Sequence, residues 1–440
     1  MKTLPCLFFW LLAQCAYTSA ETTESSTDRS STTTTSSSSS SSDTTTGYIV
    51  VTSETSVAVP TGDYISYTTT EIVSSAELNA TASSNATATT STTATDVVLV
   101  GTGSNSTTTS STATATNTQA CNGYTEFCER KYSNITMVTA HNSPFVKKNN
   151  IASNQDYDVT IQLDNGIRMV SFEAHYYEDD IYLCHTSCDL LNMGTLEAYL
   201  TTITKWIKKN PYDIVTVLIV NSDYVTPSNF TAPIKNSGLI DYVYEPWSIP
   251  MSLDDWPTLS EMILTGKRAV VFMDYEADQS EYPYLLDEFS QMWETPFSPV
   301  NRSFPCTAQR PVGITEKEAK NRMYMANHNL NLEIIFDDID ILIPDSAEIN
   351  VTNAVSGYGS LGVMANNCRS DWDRPPNFLL VDYYNDGNFA GSVFKVAAEM
   401  NNVTYTGDCC GASSDAMRIS SALSVSSLVA LVSIFVSYLM

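Results

Sequence analysis

Three short stretches decide the fold: residues 135–141 read ITMVTAH, residues 167–175 read IRMVSFEAH, and residues 181–185 read IYLCH. Each stretch is an apolar run that is typical of a buried strand, and each ends in a histidine. Three of the four histidines in the 440-residue chain lie here. Because the loops that follow parallel strands build active sites, this placement predicts a site at the end of a barrel or an open sheet.

Alternating strands and helices continue after these stretches. Apolar residues at helical spacing over residues 196–207 are followed by a buried strand over 214–220, and further strands are expected at 268–273, 323–326 and 378–381. The alternation predicts the α/β class with a parallel sheet, and the number of units favours a (β/α) barrel over an open doubly wound sheet. No glycine-rich phosphate loop opens these helices, which argues against a nucleotide enzyme.

Composition divides the chain into four expected segments. Residues 1–20 resemble a signal peptide, and residues 21–120 form a Ser/Thr-rich arm that we expect to be disordered and mucin-like. Residues 121–408 have the composition of one barrel domain, and residues 409–440 resemble a glycolipid (GPI) anchor signal, with a tail-anchor helix as the alternative. The expected location is therefore the outer face of the plasma membrane or the cell wall. The patch over 47–67 could add local β-structure or could be an interaction or aggregation-prone segment. Eight N-glycosylation sequons predict a glycoprotein.

Charge and cysteine content argue against a nucleic-acid-binding protein and a zinc protein, and in favour of a disulfide-bonded one. The formal net charge of −27 argues against a nucleic-acid partner. Eight cysteines remain beyond the signal peptide, and in an oxidising compartment they predict disulfides. The sequence leaves the pairing open, although Cys184 and Cys188 bracket His185 and would brace its loop. Two further pairs are candidates: Cys121 with Cys128, and Cys306 with Cys368. Zinc spacing is absent from the sequence.

The candidate chemistry is paired acid and base catalysis. His141 and His185 suit general base and general acid work near neutral pH, and Asp382, which also ends an apolar run, could orient one of them. Arg168 could supply positive charge for a phosphate, although its position at a strand start also suits a structural role. His175 could contact phosphate or fill the barrel mouth. Such a set suits cleavage of a phosphodiester.

For the remaining candidates, a structural role is the alternative to a role in binding substrate. Asp274 could contact sugar hydroxyls, and Tyr384 could line a substrate pocket, but strand-end carboxylates and aromatic residues near a barrel mouth are often packing or capping residues. His328 is expected to be structural.

At these residues the chain resembles the X-domain of phosphatidylinositol-specific phospholipase C. The resemblance rests on motifs between about residues 130 and 400: His141-Asn142-Ser143, Gly166-Ile167-Arg168, Phe172-Glu173, Leu183-Cys184-His185 and the run from Phe378 to Asn385. It implies a distorted TIM barrel and an attack of the inositol 2-hydroxyl on phosphorus that forms a cyclic inositol phosphate. His141 would be the general base, His185 the general acid, and Asp382 the carboxylate that orients His141.

The resemblance also implies a candidate metal site. Asn142 and Glu173 match positions that hold calcium in the metal-dependent branch of the family. For Glu173, an ion pair with Arg168 or His175 is the alternative. His175, however, stands where that branch has an Asp ligand and where the bacterial branch has an Arg, and Asn221 stands where a further acidic ligand is expected. Calcium is therefore the one candidate cofactor. The chain matches neither the complete calcium ligand set of the metal-dependent branch nor the arginine of the bacterial branch.

The leading hypothesis is a cell-surface phospholipase C-like hydrolase that acts on inositol phospholipids or on glycosylated inositol phospholipids. Its partners would be the lipid substrate and the outer leaflet or the cell wall. The alternative is a catalytically weak or inactive barrel that serves as a surface-binding protein. A metal-dependent glycerophosphodiesterase or sphingomyelinase-D-like barrel ranks last, because Glu173-Ala174-His175 lacks the Glu-x-Asp cluster that such enzymes need.

Overall fold

The computed structural model describes residues 50–52, 64, 71–72, 118–336, 339–407 and 409–410. The expected signal peptide, most of the Ser/Thr-rich arm and the expected anchor signal after residue 410 lie outside these residues. Within the described residues, no helix has the length and apolar character needed to span a bilayer.

From residue 137 onward the described chain contains both strands and helices, and in several places two or three strands follow one another directly. The strands are β1 (Val50–Thr52), β2 (Glu71–Ile72), β3 (Met137–Ala140), β4 (Met169–Tyr177), β5 (Asp180–Cys184), β6 (Asn192–Thr195), β7 (Val215–Asn221), β8 (Ser248–Ile249), β9 (Ala269–Met273), β10 (Leu286–Asp287), β11 (Met292–Glu294), β12 (Met323–Asn327), β13 (Asn331–Phe336), β14 (Ile339–Pro344) and β15 (Phe378–Val381). The α-helices are α1 (Val159–Asn165), α2 (Leu196–Lys209), α3 (Ser228–Asn236), α4 (Leu259–Thr265), α5 (Glu288–Gln291), α6 (Glu316–Lys320), α7 (Ile349–Thr352), α8 (Leu361–Trp372) and α9 (Ser392–Met400).

The central sheet is a distorted barrel. Its strand order is β10-β9-β7-β4-β3-β15-β12-β11, and every neighbouring pair in this path is parallel. The two edge strands, β10 and β11, are separated in sequence only by the single turn α5, so one short segment joins the two edges. The strands β5 and β6 extend from β4 as antiparallel additions. The expected α/β class with a distorted (β/α) barrel is therefore confirmed.

Side-chain alternation along the strands separates two apolar cores. Outward-facing residues such as Val138, Val170 and Val217 pack with the surrounding helices. Inward-facing residues such as Met137 and Met169 pack inside the barrel with the other methionines and phenylalanines of the strands. The inner series therefore fills the amino-terminal part of the barrel with apolar side chains.

The same inward series becomes polar at the carboxyl ends of the strands. Steps of two residues lead from Met137 to His141, from Met169 to Glu173, from Phe272 to Asp274 and from Phe378 to Asp382. The barrel therefore has an apolar interior and a polar mouth, and the strands themselves position the polar residues.

Helix caps and disulfides hold the elements around the barrel. The side chains of Asp158 and Thr195 cap the amino ends of α1 and α2, and Thr258 forms a capping box at α4. All three candidate disulfides form: Cys121–Cys128, Cys184–Cys188 and Cys306–Cys368.

Short pieces of the Ser/Thr-rich arm dock on the barrel. The strand β1 lies within the patch over 47–67 and pairs antiparallel with β13, and β2 pairs antiparallel with β8. The Tyr64 ring lies 4.8 Å from the Phe289 ring in α5 and 5.8 Å from the Tyr275 ring. The arm therefore contacts the segment that joins the two sheet edges, a partner that the sequence did not predict.

Candidate active site

The first catalytic candidate, His141, is hydrogen-bonded to Asp382 at the rim of the barrel mouth. His141 directly follows β3 and Asp382 directly follows β15, which is the neighbouring parallel strand. The His141 Nδ1 atom lies 2.8 Å from Asp382 Oδ1. Because an ionised carboxylate only accepts hydrogen bonds, Nδ1 carries the proton, and Nε2 is left as the basic nitrogen. The His141 side chain is 19% exposed, so a ligand in the mouth can reach it.

The loop after β3 supports this pair with two residues that the sequence reasoning missed. Asn154 Nδ2 donates to Asp382 Oδ1 at 2.8 Å. Gln155 Nε2 donates to the carbonyl oxygens of His141 and Val381 at 2.8 and 3.0 Å, which ties the two strand ends together. Amides in a loop carry no local signal of such a role, because their partners come from the far end of the sequence.

The second catalytic candidate, His185, is more deeply buried. It directly follows β5 inside the loop that the Cys184–Cys188 disulfide closes, and the whole residue is only 5% exposed. Its ring meets the Phe145 ring edge-on, with 5.2 Å between centroids. Burial lowers the pKa of His185 from its usual value near 6.5, while the negative charge of Glu173 acts in the opposite direction.

Glu173 and His175 point from β4 into the same region. The His175 Nδ1 atom lies 3.0 Å from Asp223 Oδ1, and His175 Nε2 lies 3.9 Å from Glu173 Oε2. Interaction with the Glu173 carboxylate raises the pKa of His175, and Asp223 adds to this effect against the cost of burial. Burial alone would raise the pKa of Glu173, but the neighbouring histidines and the Thr186 backbone N–H lower it to about 2. The mouth therefore holds an imidazole between two carboxylates.

The candidate calcium ligands do not fit a calcium site. Asn142 directs its Nδ2 donor toward Glu173 Oε1 at 3.4 Å, and the His175 Nε2 atom lies 3.9 Å from the Oε2 atom of the same carboxylate. Asn221 accepts from the Val225 N–H and donates to the carbonyls of Val225 and Tyr275, so its amide is held by the loops after β7 and β9. Among the described residues, no group of three or more His, Cys, Asp or Glu side chains is arranged to hold a metal ion. Calcium prefers six to eight oxygen ligands, and this set supplies too few.

Arg168 lies away from this site. It precedes β4, at the amino end of the barrel, where its Nη2 and Nε atoms contact Asp213 Oδ1 at 2.9 and 3.1 Å. Its Nη1 donates to the carbonyls of Leu163 and Ile167. These contacts support the structural role of Arg168 that the sequence left open, and they do not support a role in binding the phosphate of a substrate.

Asp274 faces inward, but its carboxylate is already engaged. Its Oδ1 accepts from the backbone N–H groups of Asn221 and Tyr275 at 2.8 Å, and Oδ2 lies 3.6 Å from Arg310 Nη2. Arg310 also lies 3.5 Å from Glu294, so Asp274 belongs to an internal ion-pair cluster. Its side chain has no exposed surface with which to meet a sugar hydroxyl.

Tyr384 and His328 are both packing residues. The fully buried Tyr384 accepts a hydrogen bond from Asn165 and packs against Phe394. It therefore supports the end of the barrel wall and does not line the mouth. His328 bonds to the Thr352 carbonyl at 2.8 Å and contacts Met364 Sδ, in agreement with the expected structural role.

Comparison with known proteins identifies similar sequences and structures. The family model described as PI-PLC X 1 matches residues 127–401. An "Uncharacterized secreted protein" of Arthroderma benhamiae is 63% identical over 67% of this chain and 67% of its own length. A "PI-PLC X domain-containing protein 1" of the same organism is 41% identical over 64% of this chain and 90% of its own length. The phosphatidylinositol-specific phospholipase C of Listeria monocytogenes is 14% identical, with a TM-score of 0.41, over 62% of this chain and 95% of its own.

Proposed function

The chain belongs to the PI-PLC X domain family, and from this premise we propose that it is a phosphoric diester hydrolase of the phospholipase C type. The observation that carries the proposal is the His141–Asp382 pair at 2.8 Å, which stands in the barrel mouth with a second, buried histidine, His185. Two imidazoles at one strand end, one of them oriented by a carboxylate, suit proton transfer to and from a phosphodiester.

His141 and His185 divide the proton transfers between them. The Nε2 atom of His141 removes the proton from the inositol 2-hydroxyl as its oxygen attacks phosphorus. His185 gives a proton to the oxygen of the leaving glyceride, and a cyclic inositol phosphate is formed. Asp382 and Asn154 hold His141 in the tautomer that this step needs.

His175 is the group that we assign to the phosphate. Its side chain is 14% exposed, and the two flanking carboxylates favour the imidazolium form. A positively charged donor beside the phosphoryl oxygens stabilises the charge that develops in the transition state. Asn142 and Glu173 take no metal-binding role in this proposal, because their donors and acceptors are directed at each other and at the protein backbone.

The substrate class follows from the expected location. The secreted relative, the expected signal peptide and the expected anchor signal all favour a barrel that faces the outside of the cell. Phosphatidylinositol belongs mainly to the cytoplasmic leaflet. Glycosylated inositol phospholipids are therefore at least as suitable as phosphatidylinositol, and the outer leaflet or the cell wall is the proposed site of action.

Phosphorus NMR of the full chain tests this function directly. The protein is mixed with phosphatidylinositol vesicles or with a glycolipid-anchored protein, and the cyclic inositol phosphate resonance is followed. We expect product from the wild type and a loss of rate on the order of 100-fold or more in His141→Ala and in His185→Ala.

Arg168→Ala is the matched control. It removes a cation from the opposite end of the barrel, so it should lower stability and leave the rate per folded molecule unchanged. A folded wild-type protein that forms no cyclic product on either lipid would contradict the proposed function. That outcome would favour the alternative of a surface-binding barrel.

A further inference from the structure

Glu173 contacts the two residues that directly follow the two catalytic histidines. Its Oε2 atom accepts the backbone N–H of Thr186 at 2.6 Å, and its Oε1 atom accepts from the Asn142 side chain at 3.4 Å. We infer that Glu173 is a positioning residue that sets the distance between His141 and His185. This inference rests on the proposed function, because it assigns those two histidines to catalysis.

Backbone conformation explains why both loops need an outside contact. Asn142 and Thr186 have φ angles of 47° and 60°, in the left-handed region that glycine favours. Asparagine tolerates this region, but a β-branched threonine there is an outlier. Such a strained residue persists only when its surroundings hold it. One carboxylate touches both strained positions, so it stabilises the turn after each histidine.

The charge of Glu173 strengthens this bridge. Its pKa of about 2 keeps the carboxylate ionised throughout the physiological range. Hydrogen bonds to an ionised acceptor are roughly twice as strong as neutral ones. The same Oε2 atom of Glu173 also lies 3.9 Å from His175 Nε2, and Asp223 holds His175 in turn at 3.0 Å. Glu173 is therefore the centre of a contact network between the loops after β3, β5 and β7.

A role as a calcium ligand makes different predictions. A calcium ligand would leave its contacts to Thr186 and Asn142 when the ion binds, and the rate would depend on calcium. A bridging residue requires no ion and controls the geometry of the loops directly. The two roles are separable, because loop order and ion binding can be measured without turnover.

The test compares the full-length wild type with Glu173→Gln and Glu173→Ala. Glu178→Gln is the matched control, because it removes one exposed negative charge from the turn between β4 and β5. The measurements are hydrogen exchange of the Thr186 amide, kcat and KM for cyclic product release, and calcium binding by titration calorimetry. The glutamine variant keeps one acceptor for Thr186, so it is the milder change.

We expect the Thr186 amide to exchange faster in the order wild type, Glu173→Gln, Glu173→Ala. We expect kcat to fall in the same order, by on the order of 100-fold in the alanine variant, with KM within about threefold of the wild type. The control should match the wild type, and calcium should neither bind nor activate. Unchanged Thr186 exchange in Glu173→Ala, or calcium binding that Glu173→Gln abolishes, would overturn the inference. A wild type without turnover would remove the proposed function, while the exchange measurement would still decide whether the bridge exists.

Discussion

At the scale of single residues, burial and the proposed catalytic role favour opposite protonation states of His185. Burial lowers its pKa, so the imidazole of the free protein is mainly neutral at pH 7. A general acid must carry a proton before it can give one. A bound phosphodiester brings a negative charge next to the ring and favours the imidazolium. The substrate itself therefore helps to protonate the group that acts on it.

Proton NMR titration of the four histidines tests this account. The His185 resonance should titrate below pH 6.5 in the free protein, because burial against Phe145 disfavours the charged ring. A variant with Phe145→Ala admits water beside the ring and should raise the pKa of His185. The matched control is Phe304→Ala, which uncovers His328 instead, since those ring centroids are 3.9 Å apart. A His185 pKa above 6.5 in the wild type would contradict the account.

At the scale of elements, two of the three disulfides described within the barrel domain, Cys306–Cys368 and Cys184–Cys188, should differ in what they control. The Cys306–Cys368 bond joins residues 62 apart and ties the segment after β11 to α8, whereas Cys184–Cys188 joins residues only 4 apart around His185. The entropy of closing a longer loop in the unfolded chain is larger. The first bond should therefore control stability, and the second should control the site.

Paired cysteine-to-alanine variants separate these effects. Loss of Cys306–Cys368 should lower the free energy of unfolding by about 4 kcal/mol, and loss of Cys184–Cys188 by about 2 kcal/mol. The rate per folded molecule should fall only in the second variant, because its loop carries His185. Chemical denaturation and cyclic product release measure the two quantities. A Cys184/Cys188 variant with the wild-type rate would show that the bond does not position His185.

The elements also show how far the sequence could predict the site. His141, Glu173 and Asp382 were recognisable because an apolar inward series turns polar where each strand ends. Asn154 was not recognisable, since its partner Asp382 is 228 residues away and only the folded loop brings them together. Arg168 stands at a strand start, and parallel strands carry their starts to the opposite end of the barrel.

The sequence also could not predict the roles of residues whose neighbours come from distant elements. Tyr384 follows a strand as closely as a site residue would, but Phe394 of α9 packs over it. Arg310 precedes a proline in a loop, and nothing in the local sequence indicates a buried role. It nevertheless enters the barrel and forms an ion pair with Asp274. Local pattern predicted which strand ends are polar, whereas tertiary packing decided which of those polar groups remain accessible.

At the scale of the whole molecule, an acidic protein places several carboxylates in its interior. Asp274, Glu288 and Glu294 surround the buried Arg310, and Asp287 lies beside them near Arg322. Burial raises the pKa of Asp274 to about 6 and that of Asp287 to about 7, and it raises the pKa of Glu288 well above its usual value. One guanidinium cannot neutralise all of these groups, so the fold keeps protons that the unfolded chain would release.

This arrangement links stability to pH with a definite sign. An unfolded Asp loses its proton near pH 4, while folded Asp287 keeps it until about pH 7. Between these values the folded state binds more protons, so the stabilising contribution is complete below pH 4 and is lost as pH rises through 7. His328 has the opposite effect on the pH dependence of stability. Burial lowers its pKa to about 4, so its contribution to the free energy of unfolding is lost as pH falls. His185 acts in the same direction as His328, and the raised pKa of His175 acts in the direction of the carboxyl groups. The three raised carboxyl groups outnumber the two lowered histidines, so stability should be greater near pH 5 than near pH 7.5.

The variant Asp287→Asn isolates the contribution of the Asp287 carboxyl group to the pH dependence of stability. The asparagine oxygen can still accept the Phe289 N–H that Asp287 caps, so α5 should keep its start. Relative to the wild type, the variant should gain on the order of a few kcal/mol of stability between pH 5 and pH 7.5, because it has no proton to lose. Urea denaturation at the two pH values measures the difference, and Asp241→Asn, at an exposed position, is the control. If Asp287→Asn and the wild type lost stability in parallel as pH rose, the buried carboxyl of Asp287 would not be the group that retains the proton.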